Sequence, residues 1–281
     1  QHGTVLHLFE RECSIQRRHQ KIIEETPAPV IQDDELRQRM AAAAVSLAQA
    51  VGYSSAGTVE FIVDEKGGFY FLEMNTRLQV EHPITELVTG VDLAIWQIRI
   101  AAGEPLDFTQ DDLRQRGHAI ECRVYAEDPA HNFLPSIGQI AVYERPSGPG
   151  IRVDDGIESG TAVSPYYDPM LAKVITWGHS REEAIGKMIR ALQQTVVLGV
   201  TTNIPYLLAI LHEPTFRQGH TSTNYLQEHL PNWQPEPLDE AGWLGAAVFE
   251  LLQGGGKKVQ VAESAAYDPW GETAVWRNVR R

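Results

Sequence analysis

The chain has 281 residues, of which 43% are hydrophobic and 22% charged, and this ordinary globular composition can bury one large core or two. The formal net charge of −13 argues against a general nucleic-acid or membrane-surface binder, although it is compatible with a local basic pocket for phosphates. No apolar run approaches the ~20 residues of a membrane span, and the two cysteines, Cys13 and Cys122, lack the spacing of a zinc site or a disulfide framework. We therefore expect a soluble protein of a reducing compartment, with neither nucleic acid nor membrane as a partner.

The first predicted elements are a strand at residues 4–10 and a helix at residues 33–51. Alternation indicates the strand, whereas an aspartate cap, an apolar stripe and the stop signal Gly52 indicate the helix. Between them, residues 11–21 are dense in hydrogen-bond donors and form either a solvated loop or one wall of a site. We expect the helix to cover the apolar back of the hairpin that follows, formed by Val59, Phe61, Tyr70, Leu72 and Met74.

Two strands, at residues 57–64 and 69–75, are joined by a four-residue turn and form a predicted hairpin. The expected register pairs Asp64 with Phe69, Ile62 with Phe71 and Glu60 with Glu73. Facing carboxylates, with Cβ atoms about 4.5–5.5 Å apart, destabilise a sheet unless a cation or a shared proton lies between them. With the adjacent amide of Asn75, Glu60 and Glu73 are candidate ligands of Mg²⁺ or Mn²⁺, and an acidic pair on a solvated sheet face is the alternative.

The polar segment after this hairpin carries a second set of chemical groups. Arg77, Gln79, Glu81 and His82 follow one another closely without the periodicity of a core element. A cation, an amide and an acid beside a candidate metal pair predict a pocket for a small anion with a general base next to it.

The second half of the chain predicts a mixture of strands and helices. Asp92 caps a helix at residues 93–102 that buries Trp96. Residues 118–125 alternate as a strand whose Glu121 and Arg123 share one face and are candidates for a surface ion pair. Short strands extend to residue 155. Later helices are predicted at 181–196, after a Ser180 capping box, at 205–211 and at 239–252. A proline-rich linker at 231–237 precedes the last of these helices, and a glycine break at 254–256 follows it.

Several motifs together resemble one family. Residues 73–83, Glu-Met-Asn-Thr-Arg-Leu-Gln-Val-Glu-His-Pro, resemble the signature of biotin carboxylases, the ATP-grasp enzymes that carboxylate biotin. Arg-Glu-Cys-Ser at 11–14, Gln-Arg-Arg-His-Gln-Lys at 16–21, Glu-Cys-Arg at 121–123 and Tyr-Tyr-Asp at 166–168 agree with it. The resemblance implies an α+β chain with the C-terminal half of an ATP-grasp fold at 1–116, a biotin carboxylase C-terminal mixed α/β domain at 117–230, and a linker with the start of a following region at 231–281.

The resemblance also implies a role for individual residues. Glu81 is the base, Arg123 steadies the biotin enolate, and Lys21 and Arg77 complete the catalytic set. Bicarbonate is held by Lys21, Arg77, Gln79, Val80 and Glu81. ATP is bound by Gln16, His19, Lys21, Glu60, Glu73 and Thr223, with Mg²⁺ or Mn²⁺ on Glu60, Glu73 and Asn75. Arg152 and Asp168 match positions near biotin and a dimer interface.

The implied protein is the α subunit of a biotin-dependent acyl-CoA carboxylase, with the 3-methylcrotonyl-CoA type as one candidate. Its partners would be a biotin carrier domain, a second copy of itself and a carboxyltransferase β subunit, in the cytoplasm or, in a eukaryote, the mitochondrial matrix. Neither a nucleotide-clamping lid nor an Ala-Met-Lys-Met-type biotinylation motif is found in the sequence. We therefore expect a portion that is inactive alone; the alternatives are a non-catalytic fragment that provides dimer contacts and another ATP-grasp carboxylate ligase.

Overall fold

A computed structural model describes residues 3–237 and 240–253. The chain divides into two compact units, Gln1–Pro235 and Glu236–Arg281. In the second unit the predicted helix is confirmed, whereas the predicted glycine break at 254–256 lies outside the described residues. None of the helices in the described part of the chain combines the length and apolarity needed to cross a bilayer.

The elements alternate irregularly along the chain. The strands are β1 Glu12–Arg17, β2 Gln20–Thr26, β3 Thr58–Val63, β4 Phe69–Asn75, β5 His118–Tyr125, β6 Glu127–Asp128, β7 Leu134–Pro135, β8 Gly138–Gln139, β9 Val142–Glu144, β10 Ile151–Asp155, β11 Ala162–Val163, β12 Met170–Gly178 and β13 Val196–Leu198. The helices are α1 Asp34–Ala50, α2 His82–Thr89, α3 Leu93–Ala101, α4 Arg181–Gln194, α5 Ile204–His212, α6 Pro214–Arg217, α7 Tyr225–His229 and α8 Glu240–Gln253.

A five-stranded antiparallel sheet, in the order β1-β2-β5-β12-β10, organises the first unit. Its central strand β5 is buried along its whole length because both faces are covered. Ile120, Cys122 and Val124 share the main core with residues of α4 and α5, whereas Ala119 packs with α2. The alternative of a surface ion pair between Glu121 and Arg123 is therefore wrong, since both side chains lie under α2 and are buried.

The first predicted strand is also wrong, because residues 4–10 form no ladder and β1 begins only at Glu12. A strand needs a neighbouring ladder, and the backbone N–H of His7 instead donates to the side chain of Gln110 over 3.0 Å. The donor-rich segment that follows is β1, a tight turn and the start of β2. Arg18 and His19 take positive φ angles of 49° and 66° in that turn.

The β3–β4 hairpin has the predicted pairing of Glu60 with Glu73. A bulge between Glu60 and Phe61 shifts the remaining register by one residue, so the predicted Asp64–Phe69 and Ile62–Phe71 pairs are wrong. Asp64 closes the turn instead, and its Oδ1 accepts from the backbone N–H groups of Lys66 and Gly68.

The prediction that α1 covers the apolar back of the hairpin is confirmed only near the turn. Leu36 and Met40 of α1 pack with Val63 and Phe69. The predicted partners Tyr70 and Leu72 are instead exposed. The bulge accounts for this difference, because an inserted residue changes which side chains share a face beyond it.

Among the later elements, the caps of α1, α3 and α4 at Asp33, Asp92 and Ser180 are confirmed. Helix α4 stops at Gln194 because the chain then enters β13. Two elements were not predicted from the sequence: α2, which directly follows the polar segment, and the long strand β12.

Asn203, which immediately precedes α5, is hydrogen-bonded to the end of β5. Its side chain accepts from the Tyr125 N–H over 2.8 Å and donates to the Arg123 carbonyl over 3.0 Å, and the residue is buried. We predict that Asn203→Ala lowers the free energy of unfolding by about 1–3 kcal/mol, because it leaves a buried donor and a buried acceptor unpaired. Urea unfolding measures this loss. The exposed Asn224, which begins α7 without a side-chain cap bond, is the matched control, and an equal loss in Asn224→Ala would contradict the prediction.

Candidate active site

The start of α2 lies on the charged face of the central sheet. Register places Glu121 and Arg123 of β5, Lys173 of β12 and Asp154 of β10 on this face. Ile84 and Val88 of α2 pack on the same side against Ala119 and Ile175. Apolar contacts thus seat the helix and leave its first residues over the charged groups.

Glu81, immediately before α2, accepts from two cations. Its Oε1 accepts from Lys21 Nζ over 2.9 Å and its Oε2 from Arg123 Nη2 over 3.0 Å, although the three residues lie on different elements. Burial would raise the pKa of Glu81, but the charges of Arg11 and Lys21 outweigh it and lower this pKa. Glu81 is therefore an ionised carboxylate at neutral pH, able to accept a proton.

Lys21 connects Glu81 to the carboxylate pair of the hairpin. Its Nζ also donates to Glu60 Oε1 over 2.8 Å, and Gln79 Nε2 donates to the same oxygen over 2.8 Å. Burial alone would lower the pKa of Lys21, but the carboxylates of Glu81 and Glu60 raise it. The ammonium is therefore charged, as an anion site requires.

Glu60 and Glu73 are bridged by Asn75. The Asn75 amide donates to Glu60 over 3.1 Å and to Glu73 over 3.0 Å. No cluster of three or more His, Cys, Asp or Glu side chains suited to a metal occurs within residues 3–237 and 240–253. Two carboxylates and an amide oxygen nevertheless form the hard donor set that Mg²⁺ takes when it completes its shell with water and phosphate.

A cavity of about 610 Å³ opens beside these groups, and its lining includes Lys21, Glu60, Gln79 and Glu81. Cys13 also lines it, and burial raises the pKa of its thiol to about 12. Cys13 is thus an uncharged thiol at neutral pH, as expected for a packed residue rather than a nucleophile.

Three residues without a predicted role also hold the polar segment or its partner Arg123 in place. Arg11 donates to Thr85 over 2.9 Å, to Thr58 over 3.0 Å and to Gln79. Lys173 Nζ donates to the Val80 carbonyl over 2.8 Å, and Glu24 forms an ion pair with Arg123. For Glu24 and Lys173 the available signal was a charge within a strand that also carries buried apolar residues, because a buried charge needs a partner; Arg11 precedes β1 and had no such signal.

Most of the other predicted site residues lie outside this cluster. Gln16 pairs with Lys21 in the β1–β2 ladder, whereas His19, Asp168 and Thr223 are exposed. Arg77 is also exposed, but it lines the same cavity as Lys21, Gln79 and Glu81. Arg152 donates to Glu86 of α2 over 2.8 Å and to Asp154. The structure thus brings together Lys21, Glu60, Glu73, Asn75, Gln79, Val80, Glu81 and Arg123.

Two family descriptions match consecutive parts of the chain. Residues 1–109 match the carbamoyl-phosphate synthase L chain ATP-binding domain, and residues 121–228 match the biotin carboxylase C-terminal domain. The fold is therefore an ATP-grasp portion followed by a biotin carboxylase C-terminal domain. The chain is homologous to the biotin carboxylase domains of biotin-dependent carboxylases, as the following relatives show.

The chain is 52% identical over 227 residues to the biotin carboxylase of Nostoc sp., covering 81% of this chain and 51% of that protein. It is 54% identical over 227 residues to a pyruvate carboxylase subunit of Methanothermobacter thermautotrophicus, covering 81% and 46%. The biotin carboxylase domain dimer of Hydrogenobacter thermophilus 2-oxoglutarate carboxylase, solved with MgADP, ADP and bicarbonate, superposes with a TM-score of 0.82 at 49% identity, covering 84% and 52%. The chain thus spans about half the length of these relatives.

Proposed function

We propose that this chain supplies the bicarbonate-handling and biotin-facing part of an ATP-dependent biotin carboxylase. The observation that carries the proposal is the Glu81 carboxylate, held by Lys21 on one oxygen and by Arg123 on the other. An ionised acid between two fixed cations is suited to accept a proton from bound bicarbonate while the cations hold the anion.

In the proposed reaction, bicarbonate lies between Lys21, Arg77, Gln79 and the Val80 backbone, and gives its proton to Glu81. A bicarbonate oxygen then bonds to the γ-phosphorus of ATP and the bond to ADP breaks, which forms carboxyphosphate. Carboxyphosphate decomposes to CO₂ and phosphate, and the phosphate accepts the N1′ proton of biotin. Arg123 stabilises the enolate charge that develops before N1′ bonds to CO₂.

Glu60, Glu73 and Asn75 would hold Mg²⁺ or Mn²⁺ with the ATP phosphates, and the ion would offset the phosphate charge. Gln16, His19 and Thr223 would contact the nucleotide, and Asp168 and Arg152 would lie near biotin. The Asn75 hydrogen bonds to both acids support this assignment, because they hold the two carboxylates together.

We predict that this chain binds Mg-ATP in isothermal titration calorimetry and that Glu73→Gln weakens the affinity by about tenfold or more, equivalent to ~1.4 kcal/mol. The matched control is Glu65→Gln, because Glu65 is exposed in the turn of the same hairpin. Equal affinities in wild type and Glu73→Gln would contradict the metal assignment. Absence of binding would favour the alternative of a non-catalytic fragment.

We further infer that a separate carrier domain presents biotin, that a carboxyltransferase transfers the carboxyl group and that the C-terminal domain forms a homodimer. The domain division at residue 116 and a location in the cytoplasm or mitochondrial matrix belong to this proposal. The molecule that accepts the carboxyl group from biotin is either an acyl-CoA thioester, such as 3-methylcrotonyl-CoA, or a 2-oxoacid, because one relative belongs to a pyruvate carboxylase. Carboxylation assays of the intact protein with each acceptor would distinguish them.

A further inference from the structure

Two buried carboxyl groups face each other beneath the proposed site. Glu24 of β2 and Glu121 of β5 occupy directly opposite positions in the antiparallel ladder, and each is 0% exposed. The Cβ atoms of such pairs are about 4.5–5.5 Å apart. Two carboxylates at such a short distance and shielded from water repel each other strongly, so keeping both ionised costs much free energy. The proposed reaction assigns neither residue a role.

The partners of the two groups differ. Glu24 forms an ion pair with the guanidinium of Arg123 and has no other side-chain hydrogen-bond partner among the described residues. Neither oxygen of Glu121 has a hydrogen-bond partner among the described residues, and both oxygens are inaccessible to solvent. Lys173, the nearest cation on the next strand, directs its Nζ to the Val80 carbonyl and to Asp154. A buried carboxyl without a donor is most easily accommodated in its protonated form, in which it becomes a donor itself.

We propose that Glu24 and Glu121 share one proton and that this singly charged pair positions the Arg123 guanidinium beside Glu81. The inference rests on the proposed function only for the role of Arg123. Neither carboxyl contacts a substrate, so both are positioning residues. The single negative charge of the pair has Arg123 as its counterion, which it shares with Glu81, and Glu81 also pairs with Lys21, whereas a second charge in the pair would have no counterion.

The electrostatic surroundings support this assignment. Arg123, Glu81 and Lys21 face Glu24, whereas Lys173, Arg123 and Glu81 face Glu121. Burial raises the pKa of Glu24 to about 7, although Arg123 opposes the rise. Burial and then the charge of Glu24 hold the pKa of Glu121 well above its ordinary value. The neighbouring Cys13 and Cys122 are uncharged thiols, because burial raises both of their pKa values.

Infrared spectroscopy of this chain in D₂O tests the shared proton without any activity. At neutral pH we expect the carbonyl band of a protonated carboxylic acid, which is absent in Glu121→Gln. In Glu24→Gln the band should persist at a shifted frequency, because the acceptor is now an amide. Glu25→Gln is the control and should keep the band, since Glu25 is also buried but hydrogen bonds from His118 and Arg181 outweigh burial and lower its pKa. Absence of a protonated band at neutral pH, or a band that survives Glu121→Gln unchanged, would overturn the proposal.

The pair also predicts a pH dependence of stability. Because the folded protein keeps a proton that the unfolded chain releases near the ordinary pKa of 4.5, stability should fall as pH rises from there through neutrality. Glu121→Gln removes a buried acid, so its melting temperature should fall less than that of the wild type over this range. Parallel decreases in both proteins would contradict the shared proton.

Activity of the intact protein tests the positioning role. Glu24→Gln should lower kcat for biotin-dependent ATP cleavage by about 100-fold with KM for ATP unchanged, because a misplaced guanidinium no longer meets the developing charge. Glu121→Gln keeps a neutral donor and a single charge, so it should retain much more of kcat and lose the alkaline decline that titration of the pair imposes on the wild type. Equal kcat in Glu24→Gln and wild type would overturn the positioning role. If the wild type has no such activity, the proposed function fails, while the infrared result still decides the shared proton.

Discussion

Replacing Glu81 by Gln in the intact protein should lower bicarbonate-dependent ATP cleavage by about 10²–10⁴-fold, the range typical of a lost general base. Gln has nearly the same shape and keeps an oxygen for Lys21 or Arg123, but it cannot accept the bicarbonate proton at neutral pH. The loss should therefore appear in kcat. Steady-state release of ADP at saturating bicarbonate measures it.

The control for this substitution is Glu65→Gln, which changes the same residue type at an exposed position in the hairpin turn. Circular dichroism and Mg-ATP affinity should remain near wild type in Glu81→Gln, because the metal acids Glu60 and Glu73 are untouched. A near-normal cleavage rate in a folded Glu81→Gln variant would show that another group takes the proton.

Local patterns in the sequence identified elements whose residues interact with near neighbours. Alternation and a short turn were enough to place Glu60 opposite Glu73, since the two strands are adjacent in sequence. The bulge beside Glu60 could not be predicted, because no glycine or proline marks it. Residues 4–10 show the opposite error: their alternation is that of a strand, but a ladder depends on a neighbour that local sequence does not specify.

The site was predictable only through the family resemblance. Spacing alone does not bring Lys21 to Glu81, because sixty residues separate them and the contact depends on how α2 lies on the sheet. Glu24 and Lys173 were missed for the same reason: each lies in a strand whose burial on both sides is set by distant helices. A carboxylate directly after the apolar residues Ile22 and Ile23 was the one local indication of a buried acid.

Replacing Arg123 by Met should lower the free energy of unfolding by about 3–5 kcal/mol at neutral pH, because it leaves the buried acids Glu24 and Glu81 without their shared cation. Met has a similar length, so little of the loss should come from a cavity. The deficit should shrink as pH falls through neutrality, because burial already raises the pKa of Glu24 to about 7 and loss of Arg123 raises it further, so that protonation of Glu24 removes the uncompensated charge. Urea unfolding at several pH values measures both effects.

Arg190→Met is the matched control, because Arg190 is exposed on α4 and the same change there should leave stability within about 0.5 kcal/mol of wild type. A deficit in Arg123→Met that does not vary with pH would point to lost packing rather than lost charge compensation. Biotin carboxylation should also fall below detection, since no other described side chain offers a guanidinium to both Glu24 and Glu81. Arg123 would then combine two functions, because the charge that stabilises the enolate is the one that makes two buried acids tolerable in the fold.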